Sequence, residues 1–135
     1  MSVPVWVFDV DGCLVDSLTG TSLRPGAVEL LAHLRRRGAR VLLWSAGGAT
    51  YARRRAEEQG VARFFHGFHD KDVRDEAGRY VTHGFLEDHA YAVFVDDRPE
   101  DMPVGAEVVA VPPYLAGNPH DRGLRHVARR AGLHP

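Results

Sequence analysis

Apolar runs of strand length alternate along this chain with stretches of helical period. Val3 to Val10 reads as a first strand, Val41 to Trp44 as a second, Phe64 to Gly67 as a short third, Tyr91 to Val95 as a fourth and Val108 to Val111 as a fifth. Between them, Pro25 to Arg37 has helical spacing, with Ala27, Val28, Leu30, Leu31 and Leu34 toward one side and Gly38 as a stop. A second helix is expected from Ala49 to Gln59, ended by Gly60, and a last one from Asp121 to Ala131. Strands that are apolar throughout, rather than alternating, are buried on both faces. The pattern predicts an α/β fold: a doubly wound, Rossmann-like, mostly parallel sheet of about five strands in three layers.

Length and composition narrow this further. The 135 residues make one domain, 1–135, with one core and no internal repeat or linker. No apolar run is long enough to span a bilayer and no signal-peptide pattern opens the chain, so a cytoplasmic location without a membrane partner is the expectation. Cys13 is the single cysteine, which leaves no internal disulfide or multi-cysteine zinc site, and the eight histidines show no ligand spacing. Net charge is −1, so bulk electrostatics announces no polyanionic partner. Sixteen arginines stand against one lysine, Lys71, a bias that fits codon usage and makes the lysine conspicuous.

In open parallel sheets ligands bind beyond the carboxyl ends of the strands. Those ends are chemically loaded here. Val5-Trp6-Val7-Phe8 runs into Asp9-Val10-Asp11-Gly12, where alternation puts both carboxylates on one face. Two carboxylates ~4 Å apart repel by ~4 kcal/mol at an effective dielectric near 20, so the pair calls for a metal, a proton or both. Ser45 ends the second strand before Ala46-Gly47-Gly48, small residues that let backbone N–H groups approach a phosphate at a helix start. Asp96 and Asp97 end the fourth strand.

Phe8-Asp9-Val10-Asp11-Gly12 with Leu14-Val15-Asp16-Ser17, Leu42-Leu43-Trp44-Ser45, Lys71 and Val93-Phe94-Val95-Asp96-Asp97 together resemble the haloacid dehalogenase-like (HAD) superfamily of phosphotransferases over residues 3–111. The resemblance implies that Asp9 is the nucleophile, forming an aspartyl-phosphate, and that Asp11 protonates the leaving oxygen and then activates water. Neighbouring carboxylates should raise the pKa of Asp11. Ser45 and Lys71 would bind the phosphate, although His69-Asp70-Lys71-Asp72 lacks the family's Lys-Pro pairing and Arg74 is a rival. Mg²⁺ would sit between Asp9, the backbone carbonyl of Asp11 and Asp96, an all-oxygen set, with Asp97 holding water behind it. Gly12 looks required for the turn, and Cys13 reads as a small buried hydrophobe.

Neither gap that accepts a cap domain in that family has room for one: Ser17 to Pro25 allows a flap, and Phe68 to Ala90 a hairpin around Gly78-Arg79-Tyr80-Val81. The chain therefore resembles the capless branch, whose open clefts suit phosphorylated macromolecules, nucleic-acid ends among them. Arg98 is the candidate substrate contact. Arg35 to Arg37 should complement the end of the first helix, and Arg53 to Arg55 begin about a turn after Ser45. Four other readings are open: a non-catalytic phospho-ligand binding module, a small-metabolite phosphatase capped by a partner subunit, a phosphomutase, whose small-molecule transfer would leak to water without a cap, and a response-regulator receiver. The receiver's phosphoacceptor follows the third strand, which ends here at His66-Gly67.

Overall fold

A computed structural model describes residues 4–82, 84–86 and 91–133. Its strands are β1 (Val5–Phe8), β2 (Arg40–Ser45), β3 (Gly67–Asp70), β4 (Ala92–Asp96) and β5 (Glu107–Ala110). They form one sheet in the order β3-β2-β1-β4-β5, with every pairing parallel. The helices are α1 (Ala27–Arg36), α2 (Ala49–Glu58) and α3 (Arg125–Arg130). The apolar strands β1, β2 and β4 fill the centre, as the continuous hydrophobic runs require, and β1 lies between the other two.

Strand alternation divides the core. Trp6, Phe8, Val41, Leu43, Val93 and Val95 face one side, packing with Leu30, Leu31 and Leu34 of α1, Ala52 and Ala56 of α2 and Val127 of α3. Val5, Val7, Leu42, Trp44, Ala92 and Phe94 face the other, where Met102, Tyr80, Phe85 and Leu86 cover them. The third layer is thus built from the segment after β3 and the residues following β4. That segment is the expected hairpin: Arg74 bridges Tyr80 antiparallel and Val81 N donates to Val73 O at 2.9 Å. No cap domain occurs among the described residues.

Several boundaries move. The third strand is Gly67–Asp70 rather than Phe64 to Gly67, because Ala62–Phe64 forms a 3₁₀ turn that packs Phe65 into the core. As an edge strand paired only to β2, β3 carries half-exposed residues and lacks the apolar signature. Its end at Asp70 removes the strand-end argument against a receiver domain. The sheet order supplies a better one, since receivers are wound β2-β1-β3-β4-β5. Tyr91 precedes β4 and is exposed, β5 begins at Glu107 and stops before Val111, and Val3 lies outside the described residues.

The last helix starts at Arg125 instead of Asp121. The Asp121 carboxylate accepts from Arg24 Nε (2.7 Å) and Gly123 N (2.9 Å), which turns the chain before it can coil. In α1, Val28 is exposed, since only Ala27, Leu30, Leu31 and Leu34 follow the three- and four-residue spacing of one buried face.

Candidate active site

The loaded strand ends meet at one edge of the sheet. Asp9 N donates to Val95 O (3.1 Å), extending the β1–β4 pairing one residue, so the Asp9 side chain follows Val5 and Val7 onto the hairpin side. Asp96 ends β4 with the parity of Ala92 and Phe94, on that same side. Lys71 N donates to Ser45 O (2.8 Å), continuing β3 alongside β2. From there Lys71 Nζ reaches Asp9 Oδ1 at 2.9 Å and Asp96 Oδ2 at 3.0 Å. The ammonium lies 5.2 Å from the Trp44 ring centroid and 5.4 Å from that of Tyr80, and the lysine is buried. Arg74 does not compete for this place: it stacks on the Tyr80 ring at 4.0 Å and donates to the Tyr80 hydroxyl at the rim.

Asp9, Asp96 and Asp97 each direct a carboxylate oxygen into a cluster within 4.8 Å, which is the candidate metal site among the described residues. The geometry thereby adds Asp97 to the candidate ligands beside Asp9. Asp96 is already engaged on both oxygens, by Lys71 at Oδ2 and by Arg98 N at Oδ1 (2.8 Å). Burial pushes the Asp9 carboxyl well above its usual pKa; Lys71 opposes this, and Asp96 and Asp97 add to the rise. Burial likewise raises Asp96 against the pull of Lys71 and the Arg98 N–H. Burial would lower Lys71, but Asp9 and Asp96 outweigh it and hold the ammonium protonated. One lysine among three carboxylates leaves negative charge uncompensated, and the oxygen-only donor set fits a hard divalent cation.

Gly12 follows directly from this packing. Its φ is +77°, and a Cβ there would lie 2.7 Å from Asp97 Oδ2, so both turn and ligand position exclude a side chain. Cys13 is fully buried, with Sγ 3.6 Å from Val95 O, as a small hydrophobe should be.

Ser45 is buried at the end of β2, and its Oγ accepts from Gly47 N at 3.0 Å. Gly48 N returns to Ser45 O, closing the turn into α2, and Asp70 Oδ1 accepts from Ala49 N in the first turn of that helix. Asp9, Asp11, Ser45, Lys71, Asp96 and Asp97 line a cleft of about 270 Å³ whose rim includes Arg74, Tyr80, Arg98 and Asp101.

Asp11 stands apart from the carboxylate cluster. It is exposed, and the Tyr51 hydroxyl donates to its Oδ1 at 2.7 Å, so the crowding expected around Asp11 falls on Asp9. Arg98 lies on the rim, exposed, and pairs with Asp101 at 3.0 Å. Of the arginine runs, Arg35 donates to the carbonyls of Arg63 and Phe64, Arg53 stacks on Phe68, and Arg54 and Arg55 flank Tyr51.

Tyr51, Trp44 and Tyr80 are the site residues that sequence reasoning missed. Tyr51 sits in the first turn of α2, and with Arg55 and Gln59 it recurs at every fourth position, a signal present in the chain. Trp44 abuts Ser45 and reads as strand core. Only the fold shows that its ring also backs the lysine.

No family model and no curated protein matches the sequence. Solved structures do. A hydrolase of the haloacid dehalogenase-like family from Streptococcus pneumoniae superposes with a TM-score of 0.70 at 16% identity, covering 95% of this chain and 98% of that one. The core domain of a candidate phosphoglycolate phosphatase from Streptococcus pneumoniae TIGR4 gives 0.61 at 15% identity, over 99% and 98% of the two chains. Protein Tyrosine Kinase A of Mycobacterium tuberculosis gives 0.65 at 16% identity, over 98% and 100%. Across nearly its full length, the chain has the haloacid dehalogenase-like fold.

Proposed function

We propose that this chain of haloacid dehalogenase-like fold is a Mg²⁺-dependent phosphomonoesterase that works through phospho-Asp9, on phosphates presented to an open cleft, such as phosphorylated nucleic-acid ends. The observation that carries the reading is the Lys71 ammonium held between Asp9 and Asp96 at 2.9 and 3.0 Å, with Asp97 completing an acidic cluster at the strand ends. A structural ion pair needs no second and third carboxylate beside it. A site that must bring a carboxylate up to an anionic phosphate needs cations on both sides.

Asp9, Asp96 and Asp97 would hold the metal, with the Asp11 backbone carbonyl, and the ion would neutralise charge on the phosphate and on the attacking carboxylate. Ser45 Oγ would orient a phosphate oxygen, and Lys71 fixes the Asp9 carboxylate while offsetting its charge. Asp9 attacks phosphorus, the bond from phosphorus to the leaving oxygen breaks, and that oxygen takes the proton of Asp11. Water then attacks phospho-Asp9, gives its proton to the Asp11 carboxylate, and releases Asp9 and inorganic phosphate. Arg74 and Arg98 at the rim would meet further anionic groups of the substrate.

The neighbours' names include a hydrolase and a kinase, so fold alone does not choose the reaction. A panel of 3′- and 5′-phosphorylated oligonucleotides, nucleotides, phosphopeptides and sugar phosphates in Mg²⁺ makes the choice. The reading requires phosphate release that EDTA abolishes. Absence of metal-dependent turnover across the panel would reject it in favour of a phospho-ligand binding module.

A further inference from the structure

One face of α2 is built as a clamp over the site. Tyr51, Arg55 and Gln59 stand four residues apart, at the start, middle and C-cap of this helix. The Tyr51 hydroxyl donates to Asp11 Oδ1 at 2.7 Å. Gly47 makes room for the ring: a Cβ there would come within 2.6 Å of Tyr51 Cδ2. The Arg55 guanidinium lies 5.2 Å from the ring centroid and packs on Gly20, where an added Cβ would meet its Cζ at 2.8 Å. Gln59 Nε2 donates to Thr21 O at 2.7 Å. Gly20 and Thr21 belong to the loop that Asp16 folds by accepting from Thr19 N (2.7 Å) and Ser22 N (2.9 Å). The face therefore ties the exposed Asp11 side chain and the adjoining loop to one rigid helix.

We propose that Tyr51 is a positioning residue for Asp11, fixing Oδ1 so that Oδ2 is presented to the leaving oxygen, while Arg55 and Gln59 anchor the same helix face to the 16–22 loop. The inference rests on the proposed phosphatase reading, in which Asp11 transfers the proton. An exposed carboxylate otherwise samples several rotamers, and fixing one of them is worth a share of general acid catalysis.

The test is the leaving-group dependence of kcat/KM, which reports steps up to formation of phospho-Asp9. Tyr51→Phe keeps the ring on Gly47 and removes only the donor. It should lower kcat/KM for glycerol 3-phosphate, whose alkoxide needs a proton, by about tenfold, and leave 4-nitrophenyl phosphate within about twofold. With Asp11→Asn already present, Tyr51→Phe should add nothing. An equal loss on both substrates, no loss on either, a gain in rate, or full additivity with Asp11→Asn overturns the positioning role. If Asp11→Asn itself shows no leaving-group dependence while the wild type turns over, the acid assignment fails instead. If the wild type releases no phosphate in Mg²⁺, the parent reading and this one fall together.

Discussion

Lys71 holds the balance of charge at the residue scale. Its side chain is 5% exposed and touches carboxylates that are 13% and 4% exposed, so no contact is screened as a surface pair would be. Replacing one partner of a buried pair leaves uncompensated charge, at a cost of roughly 3–5 kcal/mol. Lys71→Met should therefore lower the urea midpoint at pH 7 in EDTA by that equivalent. Asp9, its carboxyl already raised in the folded protein, adds stability at low pH that is lost as the pH rises through its folded value. The deficit of the variant should accordingly narrow as the pH falls below the folded value of Asp9, and a deficit independent of pH would show that Lys71 acts by packing on Trp44 and Tyr80 alone. Asp9, Ser45 and Asp96 were legible in the chain because strand ends fix where they point, whereas Lys71 stood out only as the single lysine and through the family resemblance. Tyr51 and Trp44 were not, because their partners lie on other elements: Tyr51 and Asp11 are 40 residues apart.

The informative elements are those whose boundaries moved. Central strands announce themselves by burial on both faces, whereas β3 at the edge reads as polar and was placed too early, in the 3₁₀ turn around Phe64. The start of α3 was misplaced for a different reason: helical spacing begins at Asp121, but that carboxylate is engaged with Arg24, whose side chain is fully buried. Arg24 also donates to the carbonyls of Cys13 and Pro112, fastening the approach to α1 to the C-terminal segment. Burial would raise Asp121, but the bonds from Arg24 and Gly123 N prevail and lower it from about 3.8. A depressed folded pKa means that this stabilisation is present above the unfolded value and is lost as the pH falls through the folded one. Asp121→Asn should thus destabilise the protein by about 3 kcal/mol at pH 7 and flatten its acid denaturation below about pH 4. Parallel melting curves for variant and wild type across that range would contradict this.

At the scale of the whole molecule, the described helices lie on one side of the sheet and a hairpin on the other, and among the described residues no cap domain covers the carboxyl edge. A parallel sheet covered on both faces was legible from the alternation of strands and helices, but not that a hairpin rather than helices covers the second face. The substrate was not, because an open cleft leaves specificity to rim residues whose reach depends on the fold. The acidic cluster predicts that the folded state binds a divalent cation far better than the unfolded chain does. Mg²⁺ at a hundredfold excess over its Kd should then stabilise the protein by about 2.7 kcal/mol, and Asp97→Asn should remove most of that gain. A melting temperature indifferent to Mg²⁺ would count against the cluster as a metal site.

The most direct measurement of the central claim is mass spectrometry of the protein acid-quenched during turnover of a substrate in Mg²⁺. The account predicts a phosphate adduct on the peptide containing Asp9, missing in EDTA and in Asp9→Asn, which should also lose turnover. An unmodified Asp9 throughout turnover, with Asp9→Asn as active as the wild type, would contradict it.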